Sequence, residues 1–183
     1  MSGYPDRQSS QIKWFDAKNA GRYAVTICTH HHEHVFGEVR MHHMYFNQVG
    51  RLVRKLWYSL PERFPGVCLD AFVLMPNHLH GIIVLPSPSL SLKNMPERFQ
   101  PSMRALMLDQ HPELQGYVLP SLGAIIREFK GAATYQIHQS EVAFRWQERY
   151  WKRYLFTKEE LQRARRYIFE NPQNWEKDKL YKT

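Results

Sequence analysis

Cysteine is scarce. The 183 residues hold two, Cys28 and Cys68, and both stand in apolar runs. A pair so placed excludes a disulfide-built scaffold and reads as two reduced core thiols of a cytosolic protein. Long hydrophobic runs are also missing. No apolar stretch approaches the ~20 residues that a membrane-crossing helix needs. The opening residues, MSGYPDRQSS, lack the apolar centre of a secretory signal. A cytoplasmic location without membrane attachment is therefore expected. Acid is in deficit, with 17 Asp and Glu against 25 Lys and Arg, a net charge of +8 and a pI near 9.6. Such an excess points to a polyanionic partner, nucleic acid first and an acidic membrane second. The chain has no Gly-Lys-Ser/Thr loop for nucleotide phosphates. A zinc hydrolase is disfavoured because no third strong ligand stands at a recognisable spacing.

What is present suits one folded domain over residues 1–183. Hydrophobic residues make up 43% and aromatics 14%, enough for a sizeable core. The most informative stretch is DAFVLMPNHLHGIIV, Asp70 to Val84. An apolar run from Phe72 to Met75, a Pro76-Asn77 turn signal and a second run from Ile82 to Leu85 predict a buried hairpin. His78 and His80 head its second strand. Residues two apart share a strand face, so the two imidazoles point one way and Leu79 the other. Paired imidazoles are half of a metal site. They are equally a polar rim or a mutually satisfied pair, and spacing alone does not decide. Gly81 removes bulk where another backbone or a ligand could approach.

The remaining elements follow in order. Residues 1–16 are polar and expected to be mobile. Arg22 to Thr29 reads as a first strand and Val35 to Val39 as a short second one. Between them lie His30, His31, His32 and His34, whose lack of a fixed period makes a compositional tract the better reading. Met44 to Leu60 carries Val49, Leu52, Val53, Leu56 and Trp57 at helical spacing, ended by Pro61. Residues 86–120 are Pro-rich and aperiodic, an expected surface insertion with a short helix near 102–108. Ser121 to His138 predicts a helix capped by Ser121, buried through Leu122, Ile125, Ile126, Phe129, Ala133 and Ile137. Arg127 and Lys130 lie on its other faces, and Tyr135 is a second candidate nucleophile. From Phe144 to Phe156, aromatics interleave with Arg145, Arg149, Lys152 and Arg153. That pattern suits single-stranded nucleic acid and equally a half-buried edge strand.

A last helix opens with a Thr157–Glu160 capping box. Leu161, Ala164 and Ile168 form its inner stripe, and Arg163, Arg165 and Arg166 a basic surface. Four residues turn a helix by about 400°, so Tyr167 and Asn171 face nearly the same way. Asn171 precedes Pro172, however, and a residue before proline tends to leave the helix.

Taken in order, GRYAVTICT, VFGEV, FVLMPNHLHGIIVL, LGAIIREFKGAAT, WQERYW and RRYIFENPQNW resemble the REP-associated tyrosine transposases. These are HUH single-strand transposases with one catalytic tyrosine, and the likeness spans nearly the whole chain. It implies an α+β, ferredoxin-like antiparallel sheet with packed helices and the HUH motif on a central strand. It implies a divalent metal, Mg²⁺ or Mn²⁺, on His78, His80 and Asn171, with Tyr167 as the nucleophile. The implied substrate is single-stranded, hairpin-forming REP-like DNA, cut and rejoined through a 5′-phosphotyrosine by a nucleoid-associated monomer or homodimer. The expected phosphate contacts are Arg127, Lys130, Arg149, Lys152, Arg153, Arg163 and Arg166. Many relatives carry a histidine where this chain has Arg153. A hairpin-binding protein that no longer cuts is the alternative.

Overall fold

The computed structural model describes residues 20–85 and 121–181. The expected mobile segment 1–16 and the expected insertion 86–120 lie outside the described residues. In chain order the elements are β1 (Gly21–Cys28), a 3₁₀ turn (His30–His32), β2 (Gly37–Arg40), β3 (His43–Phe46), α1 (Gln48–Tyr58), α2 (Leu60–Arg63), β4 (Cys68–Leu74) and β5 (His78–Leu85). After residue 120 come α3 (Leu122–His138), β6 (Trp151–Tyr154), α4 (Lys158–Glu170) and a second 3₁₀ turn (Pro172–Lys177). Four strands pair in the order β4-β5-β1-β6, and every pairing is antiparallel. With α1 between β1 and β4, and α3 between β5 and β6, this is the βαββαβ arrangement of the ferredoxin-like α+β fold. The strand bearing His78 and His80 lies inside the sheet.

Alternation in β1 assigns the two faces. Tyr23, Val25 and Ile27 are buried on one side, while Ala24 and Thr26 are partly open on the other. On the first side Leu79, Ile83 and Leu85 of β5 join them beneath α1 and α3. The α3 residues in this core are the six that helical spacing selected. Gly81 belongs to this face. A Cβ there would stand 2.3 Å from Trp57 Cζ2, so the space expected for a backbone or ligand is filled by an indole, on the side away from the histidines. On the second side α4 lies over a smaller cluster of Ile82, Leu155, Leu161 and Ile168, lined by Ala24, Ala71, Val73 and Ala164. The alanines let the helix approach the sheet. Trp57, Phe72 and Phe129 stack or meet edge-on in the larger core, with centroids 5.0 and 5.4 Å apart.

Two boundaries differ from expectation. Met44 to Phe46 is not helical: it forms β3, paired with β2 as a separate two-stranded sheet. The helix starts at Gln48, where Asn47 caps it by accepting a bond from Gly50 N at 2.9 Å. Nor does Pro61 end the helical path. After a break at Ser59 the chain makes one more turn, α2, with Pro61 in the first-turn position where its missing N–H does no harm. The hairpin from Asp70 to Val84 forms as β4 and β5, although β4 is mostly half-buried. A register shift between Leu69 and Phe72 interrupts its pairing.

Candidate active site

The turn between β4 and β5 sets the first half of the site. Asn77 is wholly buried. Its Nδ2 donates to the carbonyls of His32 and Leu180, at 3.1 and 2.8 Å. With the amide nitrogen so committed, Oδ1 accepts from His78 Nδ1 at 2.8 Å. The proton on Nδ1 leaves the His78 lone pair on Nε2, and that buried atom has no hydrogen-bond partner. His80 lies two residues on, on the same face, its ring centroid 4.5 Å from that of His78. Thr26, opposite it on β1, holds its Nδ1 at 2.7 Å. This leaves His80 Nε2 directed toward α4. Burial, with smaller contributions from His80 and His32, holds the His78 imidazole well below its usual titration range. Burial lowers His80 to about 4 despite the opposing pull of Asp178. Both rings are therefore neutral at pH 7, the state in which imidazole can ligate a metal.

The second half comes from α4 and the turn after it. The capping box forms as the sequence suggested: Thr157 Oγ1 accepts from Glu160 N at 3.1 Å, and Glu160 Oε2 accepts from Thr157 N at 3.2 Å. Started there, the helix brings Tyr167 over the paired imidazoles. Tyr167 Oη is 3.4 Å from His80 Nε2, and the rings meet edge-on with centroids 5.0 Å apart. Asn171 caps the end of the helix, yet its backbone stays helical. Its φ and ψ of −57° and −44° are helical, and the chain runs on into the 3₁₀ turn with Pro172 at its start. Asn171 Nδ2 donates to Asp178 Oδ2 at 2.8 Å. Asn171 is 2% exposed, and its Oδ1 is buried with no partner.

Asp178 is the residue that sequence reading missed. Ligand atoms of His78, His80 and Asp178 lie within 4.8 Å of one another, a group that could hold a metal ion. Its Oδ2 is also 3.4 Å from Tyr167 Oη, and its Oδ1 accepts from Leu180 N at 2.7 Å. Nothing in its spacing announced this, because it reaches the site by the chain's return after Pro172. Two unpartnered buried atoms, His78 Nε2 and Asn171 Oδ1, beside a carboxylate and a second imidazole fit a divalent cation by donor chemistry. Among the described residues none of His30, His31, His32 and His34 belongs to such a three-residue group. Cys28, opposite His78 in register, is buried; burial and then Asp178 push its thiol up to about 11, so it remains protonated.

No family model matches the chain. It is 33% identical over 181 residues to an uncharacterized protein of Haemophilus influenzae, spanning 98% of this chain and 96% of that one. The chain belongs to one family with that protein. Among solved structures, a REP-associated tyrosine transposase bound to a REP hairpin superposes with a TM-score of 0.54 at 16% identity. The match covers 96% of this chain and 74% of the other, and the two share a fold.

The expected phosphate contacts are divided by that fold. Arg127 and Lys130 sit on α3, on the far face of the sheet from Tyr167. Lys130 Nζ is engaged there by the carbonyls of Gln147 and Glu148, at 2.6 and 3.0 Å. Tyr135, the rival nucleophile, is on the same far helix and is exposed. Arg163 and Arg166 are exposed on α4, and Arg149 and Lys152 are exposed in and before β6. Arg153 binds Glu160 Oε1 at 2.8 Å, tying β6 to the start of α4. Arg165 is not part of the solvated basic surface: it forms a two-pronged pair with Asp70, at 2.9 and 2.6 Å.

Proposed function

We propose that this protein is a tyrosine-dependent DNA strand transferase that cuts and rejoins single-stranded DNA beside hairpins. The observation that carries the reading is the meeting of Tyr167 Oη with His80 Nε2 at 3.4 Å, one helical turn from the unpartnered Oδ1 of Asn171. A phenol poised on paired imidazoles from a different element has no structural need to be there. The net charge of +8 suits a DNA substrate, and the fold shared with a hairpin-bound transposase supports the same choice.

Tyr167 is the nucleophile. Its oxygen bonds to phosphorus, the bond from phosphorus to O3′ breaks, and a 5′-phosphotyrosine and a free 3′-hydroxyl result. The phenol must first lose a proton, since unperturbed tyrosine ionises near pH 10. The carboxylate aimed at it is Asp178, through Oδ2. His78 Nε2, His80 Nε2 and Asn171 Oδ1 would hold the divalent ion, with Asp178 in reach. What Mg²⁺ or Mn²⁺ supplies at those atoms is neutralisation of the phosphate charge and its orientation for in-line attack. Thr26 and Asn77 keep the two imidazoles turned toward it. Reversal by the 3′-hydroxyl of the same or another end rejoins the strand, and the covalent link conserves the bond energy.

The test is a covalent adduct. Labelled single-stranded hairpins from the gene's own flanks, incubated with protein and Mn²⁺, should give a protein-linked strand on a denaturing gel. Tyr167→Phe should bind the same DNA and give none. Adduct at undiminished yield from Tyr167→Phe would move the nucleophile elsewhere. Binding without adduct by the unaltered chain would leave a hairpin-binding protein that does not cut.

A further inference from the structure

The row of the sheet that contains His80 continues to the open edge. Directly paired residues of antiparallel strands share a face. Val73, His80, Thr26 and Trp151 are paired in turn across β4, β5, β1 and β6, so all four lie on the α4 side. Strands stand about 4.8 Å apart, which sets Trp151 two strand widths, about 10 Å, from His80. The floor between them is low. Thr26 is small and only partly buried, whereas Ala24 beside it is packed into the cluster under α4.

Trp151 is 54% exposed and belongs to neither hydrophobic cluster. Of the other rings of that segment, Phe144 and Trp146 are buried, Tyr150 packs against the large core, Tyr154 meets Tyr23 edge-on with centroids 5.2 Å apart on the opposite face, and the exposed Phe156 lies 4.4 Å from Tyr154. An exposed aromatic is by itself ordinary on a protein surface. This one stands in the same cross-strand row as the Tyr167–His80 contact, with the exposed Arg149 two residues before it.

The geometry points to Trp151 as the platform on which a nucleobase flanking the attacked phosphate stacks. This rests on the proposed strand-transferase reading and says how that site takes its substrate. A phosphate at the His78–His80 group puts the neighbouring nucleotide over the small, partly open Thr26, and Trp151 offers a π-face on the next strand. Every base has a π-face, so the contact is tolerant of sequence. It is not tolerant of duplex, because a paired base is already stacked on its neighbours. Trp151 thus selects an unpaired flank at the cut.

The test uses the Tyr167→Phe chain, so that nothing is cleaved, with and without Trp151→Ala or Trp151→Phe. The probes are a hairpin oligonucleotide with a single-stranded flank, carrying 2-aminopurine at one flank position at a time, and the same hairpin without the flank. Trp151 should quench 2-aminopurine at one position. Trp151→Ala should abolish that quenching and weaken binding of the flanked probe roughly tenfold, leaving the flankless hairpin bound as before. Trp151→Phe should restore most of both effects. Equal quenching and affinity in Trp151→Ala, or no quenching at any position, would overturn the proposal. Adduct formation by the chain with Tyr167 intact is a separate readout: its loss sinks the nucleophile assignment, whereas flank stacking is read where no adduct can form.

Discussion

Two buried atoms without partners, His78 Nε2 and Asn171 Oδ1, are what separate a site from a polar rim at the scale of single residues. A merely structural histidine would have satisfied its lone pair within the protein. The neutral state of these rings carries a consequence for stability. The unfolded chain protonates each imidazole near pH 6.5, whereas folded His80 resists until about pH 4. Between these values the unfolded state binds more protons, so stability falls as pH falls. The full stability is present above pH 6.5. His80 alone should remove about 3 kcal/mol by pH 4. Urea unfolding of chelator-treated protein at pH 7 and pH 4.5 checks this, and His80→Gln should flatten the difference. At this scale the sequence exposed the residues whose neighbours are periodic. Strand alternation put His78 and His80 together, and helical turn angle did so for Tyr167 and Asn171. Thr26, Asn77 and Asp178 were invisible as site residues because their roles depend on strand register or on a return of the chain, and neither has a local signature.

At the scale of elements, the position of α4 determines whether the two halves meet. The capping box fixes where it starts, Ala71, Val73 and Ala164 let it lie close to the sheet, and Asp70–Arg165 fixes it against β4. Asp70 stands in the interval where β4 loses register with β5, which turns its carboxylate toward the helix. Sequence reading put Arg165 among the solvated arginines, since nothing local distinguishes it from Arg163 or Arg166. Asp70→Ala should leave a guanidinium 22% exposed and without this partner. The loss should be about 2 kcal/mol, below the value for a fully buried pair because water reaches Arg165. Thermal unfolding measures that loss, and the adduct assay should show a fall in yield as Tyr167 loses its anchorage. The strand β3 was misread for a related reason. Met44 and Phe46 fit a helical stripe and a strand alternation equally over so short a window, and pairing with β2 decided it.

For the whole molecule, a sheet with helices on both sides keeps packing and candidate chemistry apart. The large core lies under α1 and α3, and the Tyr167 site lies on the α4 side. The fold class was legible through the ordered motifs that resemble the REP-associated tyrosine transposases, not through element order alone, since the short strand read at Val35–Val39 stands outside the main sheet. The sidedness of the charges was not, which is why Arg127 and Lys130 were grouped with Arg153, Arg163 and Arg166 across the sheet from them. No helix among the described residues is long and apolar enough to cross a membrane. If Arg149, Lys152, Arg163 and Arg166 neutralise phosphates, affinity for a single-stranded hairpin should drop at least tenfold between 50 and 200 mM salt. Replacing Arg163 and Arg166 by Ala should lower the slope of log affinity against log salt by about 1.4. Fluorescence anisotropy titrations over that range give both numbers, and a flat response would remove the phosphate contacts.

The bond from Asn77 to the Leu180 carbonyl joins positions 103 residues apart. A ribosome delivers β5 long before it delivers Asp178. A nascent chain can therefore own both imidazoles before the carboxylate that faces them has been made. The candidate site is therefore assembled from the β4–β5 turn and from the return after Pro172, and it is whole only when both are present.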